Sequence, residues 1–229
     1  KKLNPGFEFN IEKISTKGDR ITDAPLSRLG GVGLFTKELE VSLIKQKIDI
    51  AVHSAKDVPT ELHDGLIIGA TPLREDPHDA LISNNNSNLE KLPDNARIGT
   101  SSLRRRAQLL TFRPDFKILD LRGNLDTRLK KLETDDLDAI VVAHAGLRRL
   151  GYTGPVSQII PFDIMLPAVG QGSLCIEIRK DDDRIHKIVS CINDAQTKTA
   201  VEAERALLAK LQGGCQVPIG AYAQIHGSE

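Results

Sequence analysis

The stretch RIGTSSLRRRAQLLTFRPDFKILDLRGNLDTR, residues 97–128, decides the fold. It reads as strand, turn, helix, strand, turn, helix. Ile98 ends a short apolar run, Gly99-Thr100-Ser101-Ser102 makes a turn, and a helix follows over 103–110. Residues 116–121 form the next strand, Arg122-Gly123-Asn124 turns the chain again, and a second helix covers 125–132. A helix start presents unsatisfied N–H groups and the positive end of the macrodipole, so each turn favours an anion. In an open α/β sheet ligands lie at the carboxyl ends of strands, which places both turns on one crevice. The stretch also carries Arg104, Arg105, Arg106, Arg113, Arg122 and Arg128. Guanidinium forks suit carboxylate and phosphate groups bidentately. Arg106 and Arg113 are expected on a solvated helix face. The arginines at the turns point to an anionic ligand with several acid groups.

The whole chain bounds that reading. Its 229 residues suffice for two α/β domains or more. Lys plus Arg and Asp plus Glu both total 31, so the net charge is zero, which argues against a general polyanion binder. Positive charge is concentrated locally instead. The 3 cysteines include no C-x-x-C pair, and an odd count fits a reducing, cytoplasmic setting better than a disulfide framework. The 6 histidines have no metal-ligand spacing. No apolar run is long enough for a membrane span and no signal-peptide pattern occurs. Lys1 has no Met before it, and the natural N-terminus is expected upstream.

Outward from the arginine stretch, residues 7–14 alternate as a strand would, and residues 15–33 form a long glycine-rich loop, either a lid or a disordered connection. A helix over 35–47 leads into the apolar strand 48–54, ending at His53 and Ser54. His53 suits a satisfied strand histidine. Lys56 and Asp57 follow at the strand's carboxyl end, as either a surface ion pair or a catalytic acid/base placed against the basic crevice. Strand 66–71 leads into a crossover at 72–77, and strand 79–83 opens a second domain before an Asn-rich turn at 84–88. The run 138–144 resembles 49–53, each beginning with Asp and ending at His, which suggests two similar domains; residues 145–151, with Arg148 and Arg149, close it. A second crossover at 166–172 holds Gln171, either a ligand contact or a hinge marker. Strand 173–179 then returns to the first domain. Two crossings make a hinge. A helix over 184–193 makes Cys191 a packing residue, and Cys175 is expected to be buried in its strand. Thr199 and Glu202 have capping-box spacing for a helix over 199–211, with a further strand expected at 222–225. Cys215, between glycines and a proline, is the cysteine placed for exposure.

HSAKDVP (53–59), GTSSLRRRAQL (99–109), LRGNLDTRL (121–129), AGLRRLG (145–151), LPAVGQG (166–172) and GGCQVPIGAY (213–222) together resemble the motifs of the porphobilinogen deaminase, or hydroxymethylbilane synthase, family. The resemblance covers nearly the whole chain in the family's order. It implies two α/β lobes of the type II periplasmic-binding-protein kind, joined by two crossovers, plus a small α+β third domain. The implied units are 1–72 with 173–192, then 73–172, then 193–229 as the start of the third. The implied activity is a transferase of tetrapyrrole (heme) biosynthesis, condensing four porphobilinogen molecules head to tail with loss of ammonia to give hydroxymethylbilane. A dipyrromethane cofactor, joined by a thioether to Cys215, primes the growing polypyrrole. Asp57 matches the family's catalytic aspartate, and Lys56, Arg104, Arg105, Arg122, Arg128 and Arg149 match its carboxylate-binding cations. Ser54, Thr100, Ser101, Ser102 and Gln171 complete the cofactor contacts. No metal is implied, and the protein is expected to be a cytoplasmic monomer without nucleic acid or membrane partners. Val32 stands where several members have Lys, with Arg28 a candidate substitute. The family's Arg-x-Ser element is expected before Lys1 and most of the third domain after Glu229, so the parent protein is the expected active form. The alternative is a two-lobed small-anion binding protein without catalysis.

Overall fold

The computed structural model describes residues 6–16, 18, 33, 36–211 and 217–227. In chain order the described elements begin with helix α1 (Lys37–Ile44), strand β1 (Ala51–Ser54), the 3-10 turn Ala55–Asp57, β2 (Leu66–Ala70) and β3 (Asp79–Ser83). After β4 (Arg97–Gly99) come α2 (Leu103–Phe112), β5 (Lys117–Leu119), α3 (Leu125–Thr134), β6 (Ala139–Ala143) and α4 (His144–Arg149). Then follow β7 (Gln158–Ile160), β8 (Leu174–Arg179), α5 (Asp183–Ser190) and α6 (Ala195–Lys210).

The strands make two sheets. One has the order β1-β8-β2 and the other β5-β4-β6-β3-β7. In the second, β4 runs parallel to both β5 and β6, while β3 is antiparallel to β6 and β7. The carboxyl ends of β4, β5 and β6 therefore open on one edge, which is where the arginine-bearing turns lie. Alternation along these strands feeds two cores. Leu81, Ala139 and Val141 pack under α2, whereas Ala80, Ile82, Ile140 and Val142 pack under α3 and α4. A sheet covered on both faces explains why β3 and β6 are buried at almost every position.

In the first sheet β8 is the centre, antiparallel to both neighbours. Ile176 and Ile178 face α5, while Cys175 faces Val201 of α6. The pairing of β2 with β8 slips between Ile68 and Ala70. Gly69 sits at that slip, where a Cβ would press on the side chains of Ile178 and Val189.

The two sheets are joined by crossovers that run side by side, with Glu75 N–H donating to Gly172 O at 3.1 Å. Helix α6 fastens both. Glu204, 2% exposed, accepts from Arg74 Nη1 (2.6 Å) and Nη2 (3.2 Å) of the first crossover and from Gly170 N–H (2.7 Å) of the second. It also accepts from Ala223 N–H at 2.9 Å.

Several local expectations are corrected. Residues 7–14 form no strand, because no described strand forms a ladder with them, and Ile11 is 90% exposed. Residues 222–225 form no strand either: the neighbouring donors are spent on Pro167 O, by Ala221, and on Glu204, by Ala223. The last helix begins earlier than its Thr199 signal, at Ala195, because Asp194 caps it by accepting from Thr197 N–H at 2.8 Å. Thr199 lies inside and donates to Ala195 O. Cys175 is buried as expected, whereas Cys191 is exposed and not a packing residue, since α5 ends at Ser190. Most of the 15–33 segment, with Arg28 and Val32, and the Cys215 loop lie outside the described residues.

Candidate functional site

Strand β1 is positioned by its ladder with β8 and by His53, whose Nε2 lies 2.9 Å from Glu177 Oε2 in the sheet interior. His53 is thus the satisfied strand histidine. Ala55 N–H donates to Ser173 O, and the 3-10 turn then presents Lys56 and Asp57, both half-buried. Arg205 of α6 closes over the following segment, donating to the carbonyls of Val58 (3.0 Å), Pro59 (2.5 Å) and Thr60 (3.3 Å). The segment that follows Asp57 is therefore held from the side of α6.

The opposite wall comes from the second sheet. Ser102 caps α2 by accepting from Arg105 N–H, and Thr100 Oγ1 accepts from Ser102 N–H at 3.2 Å. Ser101 Oγ donates to Leu121 O (3.1 Å) and accepts from Leu121 N–H (3.0 Å). That reciprocal pair joins the two strand-end turns, so they do share one edge. The capped first turn of α2 directs Arg104 and Arg105 inward, each only 5% exposed, onto Asp79 at the start of β3. Asn124 caps α3 by accepting from Thr127 N–H, and Arg128 of that helix donates to Gly123 O at 2.8 Å. Gly123 takes a φ of +114, which an L side chain rarely adopts.

Electrostatics show which groups meet. Burial pushes the Asp57 carboxyl above the usual carboxylate range, against the pull of Lys56, Arg128 and His53. Burial lowers Lys56, with Asp57 and Asp79 opposing and Arg105 and Arg128 adding to the effect. Arg128 is driven down to about 10 by burial and by Arg105 and Arg122, with Asp57 in opposition. Lys56, Asp57, Asp79, Arg105, Arg122 and Arg128 are thus one coupled group drawn from both sheets, and Arg104 joins it through Asp79.

The remaining expected residues lie elsewhere on the frame. Ser54 is exposed at the end of β1. Arg149 is exposed at the end of α4, with Nη2 donating to Gly172 O at 2.6 Å beside the crossover. Gln171 is 1% exposed, and its Nε2 donates to Pro77 O (2.7 Å) and Asp79 Oδ1 (2.9 Å), so it links the two crossovers. Its Oε1 is buried without a hydrogen-bond partner among the described residues. Arg106 is exposed, as a solvated helix face predicts. Arg113 is neither solvated nor near the crevice, being tied to Asp115 and to Leu92 O.

Sequence reasoning missed Asp79 and Glu204, and each carried a signal. Asp79 opens the strand DALIS, every residue of which is buried. Glu204 falls on the helical stripe Thr197, Ala200, Val201, where a charged residue demands a buried partner.

Sequence relatives accord with this arrangement. The family model described as porphobilinogen deaminase, dipyrromethane cofactor binding domain, matches residues 1–187, and that of the porphobilinogen deaminase C-terminal domain matches residues 198–229. The chain belongs to the porphobilinogen deaminase family. Porphobilinogen deaminase of Desulforamulus reducens is 54% identical over 98% of this chain and 72% of its own length. That of Brevibacillus brevis is 54% identical over 96% of this chain and 72% of its own. Among solved structures, a putative methionine-binding lipoprotein of Bacillus subtilis is 14% identical, covering 81% of this chain and 83% of that one, at a TM-score of 0.45.

The family's cofactor is a dipyrromethane, and the coupled group fits such a ligand. The cations Lys56, Arg104, Arg105, Arg122 and Arg128 outnumber the carboxylates Asp57 and Asp79 among them. Burial first, and then the neighbouring Arg105 and Arg122, depress Arg128, and a pyrrole's acid groups would offset that crowding of positive charge.

Proposed function

We propose that this chain carries the catalytic crevice of a hydroxymethylbilane synthase, joining four porphobilinogen molecules head to tail with one ammonia lost per addition. The observation that supports this most is Asp57, a carboxylate in a half-buried turn facing arginines of the opposite sheet. When bound, the dipyrromethane supplies the nucleophilic pyrrole carbon on which the chain is built. Arg104, Arg105, Arg122 and Arg128, with Lys56, hold acetate and propionate groups and so fix ring positions. Departure of ammonia from porphobilinogen leaves positive charge on its ring and methylene carbon. Asp57 stabilises that charge where it develops and accepts the pyrrole N–H, and it does so in an enclosed site where electrostatic stabilisation is strong. Arg149, at the crossover, contacts a ligand acid group as the lobes close, and Gln171, whose amide donors are taken, offers its Oε1 to a pyrrole N–H. Ser54, Thr100, Ser101 and Ser102 line the same edge; Ser101 and Ser102 also hold the turns that aim the arginines.

Cys215 carries the cofactor as a thioether. Two lobes, 1–72 with 173–192 and 73–172, close on the substrate, and 193–229 begins the unit that bears the cysteine. The protein works as a cytoplasmic monomer without nucleic acid. No helix among the described residues is long and apolar enough to cross a membrane. The test is porphobilinogen consumption by the natural full-length protein, with ammonia released one for one. Folded protein that leaves porphobilinogen untouched would overturn the reading.

A further inference from the structure

Asp79 has no part in the reaction just described, yet it is fully buried, with 0% of its surface exposed. Its Oδ1 accepts from Arg105 Nε (3.0 Å), Arg105 Nη2 (2.7 Å) and Gln171 Nε2 (2.9 Å). Arg104 Nη2 forms an ion pair with Oδ2 at 2.8 Å. The other sides of the two forks are fixed by backbone, with Arg104 Nη1 donating to Leu166 O (2.5 Å) and Arg105 Nη1 to Val141 O (2.9 Å). A guanidinium has five N–H donors, so these bonds orient each fork without exhausting it.

The arrangement solves a specific problem. Arg104 and Arg105 are adjacent like charges on the first turn of one helix, both nearly removed from water. Burial and the neighbouring Arg105 push the Arg104 guanidinium down, and Asp79 opposes both. Unopposed, the two side chains would separate toward solvent, and a ligand would have to gather them again at an entropic cost. Asp79 is also joined to Gln171, which arrives from the second crossover.

We propose that Asp79 is a positioning residue: it preorganises Arg104 and Arg105 for ligand acid groups and ties their placement to the crossover through Gln171. The identity of the ligand rests on the functional reading above, while the cradle itself does not.

The experiment uses the natural full-length protein and a pyrrole bearing acetate and propionate groups but no aminomethyl group, which binds without reacting. Asp79→Ala should weaken probe binding by about tenfold or more, and added formate, by entering the vacated cradle, should restore most of it. Asp79→Asn, which keeps the size and the Gln171 contact, should bind as weakly as Asp79→Ala without formate. Unchanged probe affinity in folded Asp79→Ala, or a loss that formate does not restore, overturns the proposal. Should Asp79→Ala unfold, recovery of a cooperative melt with formate supports the cradle, and no recovery overturns it. If the wild-type protein ignores the probe, the functional reading fails; the formate-dependent melt of Asp79→Ala then still decides the role of the carboxylate.

Discussion

Replacing Gly172 with Ala tests whether the two crossovers lie in direct contact. Gly172 has a φ of +87, and a Cβ there would run into the carbonyl oxygen of Glu75 in the other crossover. Left-handed backbone strain costs about 1–2 kcal/mol for an L side chain, and overpacking against neighbours adds roughly 1–3 kcal/mol. The Gly172 carbonyl also accepts from Glu75 N–H (3.1 Å) and Arg149 Nη2 (2.6 Å). Disturbing those bonds adds on the order of 1 kcal/mol. The sum is about 3–6 kcal/mol, a large share of an ordinary domain's stability. Gly65 supplies the control. Its φ is +88, but nothing lies within 4 Å of its Cβ position, so Gly65→Ala should lose only the backbone strain. Urea denaturation of both variants reads the difference, expected at about 2–4 kcal/mol from the contact and hydrogen-bond terms. Equal losses would refute the close approach of the crossovers and the hinge built from it.

Asp57→Asn should lower porphobilinogen turnover by about 100-fold or more, the usual cost of removing a group aimed at developing charge. Its melting temperature should not fall, because burial already disfavours the charged Asp57 in the folded state. The sign for activity is the opposite. Turnover needs the carboxylate ionised, so the acid limb of the rate profile should lie above the ordinary carboxylate range and disappear in Asp57→Asn. At the other end, affinity for a pyrrole dicarboxylate should decline as rising pH deprotonates Lys56, which burial lowers, while the arginines keep their charge. A pH titration of probe binding that stays flat to strongly alkaline conditions would count against Lys56 as part of the acid-binding wall.

Much of the frame was legible in the chain because the strong local signals agreed with the tertiary structure. The 97–128 stretch gave both turns, both helices and the inward arginines, since caps, glycine and apolar spacing all point one way there. Residues 7–14 failed because alternation identifies a strand only where a partner exists to pair with it. Residues 222–225 failed because side-chain and loop acceptors took their neighbours' donors. The start of α6 was misplaced by a real pattern, Thr199 with Glu202, that was outcompeted by Asp194 one turn earlier. Asp79 and Glu204 stayed hidden because their meaning lies in partners distant in sequence: Arg105 lies 26 residues from Asp79, and Arg74 lies 130 from Glu204. No periodicity in one strand or helix records such a partner.

The most direct test of the central claim is the intact mass of the purified natural protein, followed by peptide mapping across residues 212–218. The account predicts a mass increment of one dipyrrole, confined to the peptide that contains Cys215 and absent in Cys215→Ser. A folded wild-type protein whose Cys215 remains unmodified after incubation with porphobilinogen would contradict it.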